Sequence, residues 1–166
     1  ETKDSSVITC NVSTHARSQR GSLMDRGANG GIIGNDAIVF HVHTREVDVT
    51  GIENHELNAL KLVDASALTK TNRGPAILIL RQCAYHGLNR RIHSSGQIES
   101  YRNKVDGRSM RVGGRQCITT NDGCVIPLDI INGLPHLKMQ PHTEREFHKL
   151  PHIILTGGTD WNPKIL

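Results

Sequence analysis

The chain has 166 residues, enough for one domain with an ordinary core, and only 3% of them are aromatic. The net charge is +4, but the basic residues are scattered and few rings could stack on bases, so we expect no nucleic-acid partner. No run of about 18 apolar residues occurs, so we also expect no membrane contact through a spanning helix.

The predicted elements are mostly strands, because the apolar runs are short, rich in β-branched residues and bounded by Gly, Pro, Asn or Asp. They lie at residues 7–12, 37–43, 46–49, 76–85, 115–120 and 124–131. The last two flank Asp122-Gly123 and predict a β-hairpin over about 115–131. Residues 55–68 have a helical composition, but the spacing of their apolar residues fits neither a helix nor a strand.

One short helix is predicted over residues 94–105. Ser94 and Gln97 stand at the spacing of a capping box. One apolar stripe follows at helical spacing, formed by Ile98, Tyr101 and Val105. From Pro141 onward, the proline, histidine and glycine content predicts an irregular tail. The fold class predicted from these elements is mainly β.

An aspartate ends an apolar run in "SLMDRGANGGIIG", residues 22–34. A buried acid is costly unless it is paired or used, so Asp25 is either a turn acid that reaches water or part of a site. The glycines also suggest a phosphate-binding loop, but that interpretation lacks the Lys-Ser/Thr ending and a following helix.

The order Leu23-Met24-Asp25-Arg26-Gly27-Ala28 resembles the active-site turn of retroviral-type aspartic proteases, which has two apolar residues, Asp, Ser or Thr, Gly and Ala. "RRIHSSGQIESYRNKV" resembles the strand and helix that close copia-type retroelement proteases, and residues 116–139 resemble the hairpin region after the protease. The chain also contains "RGP" at 73–75 and "LPH" at 150–152. Taken in chain order, all these motifs resemble retroelement polyprotein segments of algae such as diatoms. The resemblance covers about residues 20–166.

The resemblance implies a small closed acid-protease-like barrel with one short helix and a C-terminal β-hairpin extension. It places a retropepsin-like domain at 1–110, the hairpin extension at 111–140 and a C-terminal tail at 141–166. It also implies that residues 55–68 form a strand, against their composition. Since the chain begins with Glu1, we expect it to be a segment of a longer protein.

The resemblance makes Asp25 the catalytic residue, with Arg26, Gly27 and Ala28 completing the active-site turn. Peptide hydrolysis without a metal needs a water held between two carboxylates that share one proton. The sequence has one such acid, so the resemblance implies a homodimer with Asp25 of each subunit on the two-fold axis. Gly51 in "VTGIEN" is the candidate for the flap tip.

Arg26 departs from the family pattern, which has Ser or Thr at this position. A guanidinium pointing inward would lower the pKa of Asp25 and oppose the shared proton. Pointing outward, it would leave the supporting hydroxyl missing. Two functions therefore stay open: an aspartic endopeptidase that cleaves its own polyprotein, and an inactive protease-derived domain that self-associates through sheet edges.

The cysteines and histidines suggest no cofactor. Cys10, Cys83, Cys117 and Cys124 show no CxxC spacing and are predicted to be free thiols. Free thiols favour a reducing compartment, either the cytoplasm or a virus-like particle, over secretion. His41 and His43 face one side of a strand, but no Cys or carboxylate stands nearby at a zinc-like spacing, so we expect solvent-facing polar positions and no metal.

Overall fold

The structure is a computed structural model that describes residues 7–9, 21–50, 56–87 and 91–159. Strands dominate these residues, which confirms the mainly β class. The strands are β1 (Val7–Thr9), β2 (Ser22–Asp25), β3 (Ile32–Ile33), β4 (Ile38–Thr50), β5 (Glu56–Thr71), β6 (Gly74–Tyr85), β7 (Ile92–Ser94), β8 (Lys104–Asp106), β9 (Cys117–Thr119), β10 (Val125–Pro127), β11 (Asp129–Ile131), β12 (Leu134–Leu137) and β13 (His152–Thr156). The helices are α1 (Ser95–Glu99) and α2 (Glu144–Lys149), with a 3-10 turn at Met110–Val112.

An antiparallel meander of β4, β5 and β6 forms the centre of the main sheet. The predicted strands at 37–43 and 46–49 are one continuous strand, β4. Residues 56–68 lie within β5, so the prediction of a strand over a helix is confirmed for this part of the segment. All the residues of β5 from 62 to 67 are buried, and this burial in the sheet outweighs the helical composition of the segment.

The main sheet has the order β1-β4-β5-β6-β3-β7-β2-β12-β11, and β13 pairs with β6. The predicted closed barrel is not found among the described strands, because β1 and β11 end the order on opposite sides without pairing with each other. A second sheet has the order β10-β9-β8. Its β9 and β10 pair antiparallel around Thr120–Cys124, which confirms the predicted hairpin.

The helix predicted over 94–105 is much shorter, since α1 ends at Glu99. Arg102 has φ 68°, which no helix accommodates. Asn103 then donates from its side-chain amide to the carbonyl oxygens of Ile98 at 3.1 Å and Leu155 at 3.0 Å. Val105 is buried as predicted, but it lies in strand β8 and not on a helix.

The prediction of an irregular tail from Pro141 onward is wrong. Thr143 and Glu146 form a full capping box at the start of α2. After it, β13 pairs parallel with β6, and its Leu155 is fully buried. The signal for a helix start was present in the sequence, but the partner of β13 lies more than 70 residues earlier in the chain.

Two apolar clusters flank the strand that carries Asp25. Met24 belongs to the larger cluster, whereas Leu23 belongs to the smaller one with Ala28, Ile32 and Ile92. Because side chains alternate along a strand, Asp25 shares the side of Leu23, not that of Met24.

The predicted free thiols are confirmed for the three cysteines among the described residues, Cys83, Cys117 and Cys124. Cys10 and the flap candidate Gly51 lie outside the described residues. No helix within the described ranges combines the length and apolar character needed to cross a bilayer.

Candidate functional site

Asp25 ends β2 beside β7, where it stands in register with Ser94. The carboxylate is half-buried, and its Oδ1 accepts a hydrogen bond of 2.8 Å from the backbone N–H of Gly27. The backbone N–H of Ala28 donates to the carbonyl oxygen of Asp25 at 3.3 Å. These contacts form a tight turn in which Arg26 and Gly27 are exposed and Ala28 is buried.

Residues at the start of α1 form hydrogen bonds with this turn and with the loop that follows it. Ser94 caps α1 by accepting the N–H of Gln97 at 3.0 Å, and its hydroxyl donates to the carbonyl oxygen of Ala28 at 2.7 Å. The side-chain oxygen of Gln97 accepts the N–H of Gly31 at 3.0 Å, and its amide donates to the carbonyl oxygen of Gln82 at 2.9 Å. Buried polar groups are thereby satisfied, and the loop after Asp25 is fixed to the sheet.

Burial raises the pKa of Asp25, although the hydrogen bonds to the backbone of Gly27 and Ala28 oppose the rise. A raised pKa keeps a carboxyl group protonated at higher pH than an exposed aspartate. The surroundings of Asp25 therefore favour a carboxyl group that can hold a proton.

Arg26 points away from Asp25 and contacts the last residue of α1. Its Nη1 and Nη2 donate to the two carboxylate oxygens of Glu99 at 2.8 and 2.9 Å, and Nη2 also donates to the carbonyl oxygen of Val105 at 2.9 Å. The hydrogen bond from Arg26 lowers the pKa of Glu99. Of the two orientations considered from the sequence, the outward one is found, and Arg26 forms an ion pair with Glu99 instead of Asp25.

A cleft of about 600 Å³ lies on the Arg26 side of β2. It is lined by Met24, Arg26, Ser95, Val105, Asp106, Gly107, Arg108 and Pro135. Asp25 is absent from this lining, in keeping with its position on the other side of the strand. The Asp25 carboxylate therefore does not line this cleft.

The Asp-Gly pairs at Asp106-Gly107 and Asp122-Gly123 both carry an acid that contacts an arginine. Hydrogen bonds from the side chain of Arg108 and from backbone N–H groups lower the pKa of Asp106 to about 2. Asp122 forms an ion pair of 3.0 Å with Arg73. Asp106 also ends a strand and is half-buried, but its pKa is lowered, whereas that of Asp25 is raised. Asp122 is exposed.

Sequence reasoning missed a cluster formed by His41, His43 and Asp64. His43 Nε2 lies 2.8 Å from Asp64 Oδ1, and the rings of His41 and His43 meet edge to face at 4.6 Å. The His-x-His spacing was visible in the sequence. The contact of Asp64 with these histidines could not be predicted, because it depends on the pairing register of β4 and β5.

A second missed group is a buried polar cluster beside β2. Ser22 donates to Asp36 Oδ2 at 2.7 Å, and Arg91 Nη1 lies 3.9 Å from the same oxygen. His93 is buried beside them, and burial lowers its pKa to about 4. The charge of Arg91 lowers this pKa as well, whereas that of Asp36 raises it.

Comparison of the chain with protein-family models, with curated proteins and with solved structures finds no match.

Proposed function

We propose that the chain is a retropepsin-like aspartic endopeptidase domain of a retroelement polyprotein, acting on polypeptide as a homodimer. The observation that carries this proposal is the setting of Asp25. It is a half-buried carboxyl group at a strand end, with a raised pKa and a following Gly-Ala turn fixed by Ser94. An acid of this kind can hold the proton that a pair of catalytic carboxyl groups must share.

Dimerisation supplies the second acid in this proposal. Each chain contributes one Asp25, and the exposed Arg26-Gly27 turn next to it is accessible to a second copy. The cleft beside Arg26 does not include Asp25, so the substrate groove forms between the two subunits. A symmetric dimer brings the same turn of both copies to its axis.

Arg26 does not prevent this chemistry. Its guanidinium is held by Glu99 and Val105, so it does not fix Asp25 in the ionised state. What is missing is the hydroxyl of a Ser or Thr after the acid. We expect Arg26→Thr to increase cleavage by restoring that support across the dimer.

A peptidase assay on the purified chain with peptides spanning its polyprotein neighbours tests the proposal. We expect cleavage at acidic to neutral pH, inhibition by a statine-type peptide, and loss of cleavage in Asp25→Asn. Asp122→Asn is the matched control, because Asp122 is an exposed acid in another turn, and this variant should cleave like the wild type. Cleavage that survives Asp25→Asn would overturn the assignment.

The alternative is a protease-derived domain that self-associates without catalysis. Exposed apolar side chains favour it: Ile38, Phe40 and Val42 on β4 and Ile154 on β13 are 38–57% exposed. Large exposed apolar patches mark interaction surfaces. An open-ended assembly that is lost in Phe40→Ser, together with no cleavage by the wild type or Arg26→Thr, would favour this alternative.

A further inference from the structure

We propose that His41, His43 and Asp64 form a binding site for a zinc-class divalent transition-metal ion, with water at the remaining coordination position. One ligand atom from each residue lies within 4.8 Å of the others. With metal–ligand distances of about 2.0–2.2 Å, the donors of one zinc ion stand about 3–4 Å apart, so a small rotation of the histidine rings completes the site.

The sheet holds the carboxylate of this site in place. Asp64 is only 3% exposed, and its Oδ1 accepts the backbone N–H of Gln82 at 3.1 Å. Outer hydrogen bonds of this kind orient metal-binding carboxylates. The histidines reach Asp64 from β4, with His43 half-buried and His41 exposed, so an ion can enter from solvent.

Both neighbours of β5 are irregular at Asp64. On the β4 side, Phe40 is an extra residue between the pairs Val39–Ala65 and His41–Asp64. On the β6 side, Arg81 and Gln82 together stand opposite Asp64, and Gln82 has φ 61°. Such β-bulges re-aim side chains and occur next to functional sites. Here they direct two imidazoles and a backbone N–H at one carboxylate.

The donor set defines the class of ion. Two imidazole nitrogens and one carboxylate oxygen suit Zn²⁺ and similar ions, whereas Mg²⁺ and Ca²⁺ prefer all-oxygen sites. Three protein ligands leave one position of a tetrahedral ion for water.

Arg81 opposes metal binding at this site. Its Nη1 lies 3.7 Å from Asp64 Oδ2, so its positive charge competes with the ion for the carboxylate. The guanidinium also lies 5.5 Å from the centre of the Phe40 ring, a position it can keep when the ion is bound. Removing this charge should therefore strengthen metal binding.

Calorimetric titration of the chelator-treated full chain with ZnCl₂ alone tests the proposal, and the visible spectrum of the Co²⁺ form reports the coordination geometry. We expect one ion per chain, at least tenfold weaker binding in His41→Ala, and several-fold tighter binding in Arg81→Gln. His41 is exposed, so its substitution leaves the fold intact. His148→Ala removes an exposed histidine elsewhere and is the matched control.

Three results would overturn the site: binding only at millimolar Zn²⁺, equal binding in His41→Ala and wild type, or loss of binding in His148→Ala. Asp64→Asn serves as a further variant where circular dichroism shows it folded, and it should lose the Co²⁺ spectrum. Calorimetry and the Co²⁺ spectrum measure metal binding directly, so this test does not depend on peptidase activity.

Discussion

At the scale of single residues, the orientation of Arg26 decides how Asp25 behaves. Asp25 ends β2 and accepts a hydrogen bond from its own turn, whereas Arg26, the first residue of that turn, contacts Glu99. Burial has the largest effect on the pKa of Asp25, which is raised, and no arginine within the described residues lowers it.

The Arg26–Glu99 pair should contribute little to stability. The side chains are 61% and 34% exposed, and such pairs give about 0.2–1 kcal/mol of coupling energy. A double-mutant cycle of Arg26→Ala and Glu99→Ala, measured by urea denaturation, should show a coupling in this range. Arg26→Lys keeps the charge but not the two-point contact, and serves as the control. If Arg26→Ala shifts the pH profile of peptide cleavage, Arg26 acts on Asp25 after all.

At the scale of elements, α1 stabilises the loop after Asp25 through the residues of its first turn. Five residues cannot form a stable helix alone, so packing and capping maintain it. Gln97 is fully buried and joins α1 to the loop before β3 and to β6. The turn after Asp25 therefore depends on a helix that is fixed by tertiary contacts.

Gln97→Leu should destabilise the chain by about 2–6 kcal/mol. The N–H of Gly31 and the carbonyl of Gln82 would lose their partner, at about 1–3 kcal/mol for each buried group. Thermal and urea unfolding measure this cost. Gln140→Leu, on an exposed side chain, is the control and should change stability by less than about 0.5 kcal/mol. A loss below about 1 kcal/mol in Gln97→Leu would mean that water satisfies both groups.

At the scale of the whole molecule, the buried histidine beside β2 couples folding to pH. His93 is neutral in the folded chain down to about pH 4, whereas an unfolded histidine takes up its proton near pH 6.5. The unfolded state thus binds more protons between these values. Stability falls as the pH drops through this window, by up to about 1.4 kcal/mol per pH unit.

Comparing His93→Gln with the wild type tests this coupling. The free energy of unfolding of the wild type should fall more steeply between pH 6.5 and pH 4.5, so the difference between the two proteins shrinks toward acid. Urea denaturation at four pH values measures it, with the exposed His148→Gln as the control. Parallel curves for wild type and His93→Gln would show that His93 is not the group responsible.

The sequence by itself determined the strand content, the hairpin over 115–131, the free thiols and the strand-end position of Asp25. These depend on local patterns: β-branched runs, an Asp-Gly turn and cysteine spacing. It left the helical or extended state of residues 55–68 open, because composition and apolar spacing disagreed there, and only the resemblance favoured a strand.

Only the tertiary structure decided which side chains meet. The short α1, the pairing of β13 with β6 and the open order of the main sheet depend on partners far along the chain. The same holds for the contact of Arg26 with Glu99, 73 residues later, and for the place of Asp64 beside two histidines. Long-range register and burial create these contacts, and no local pattern encodes them.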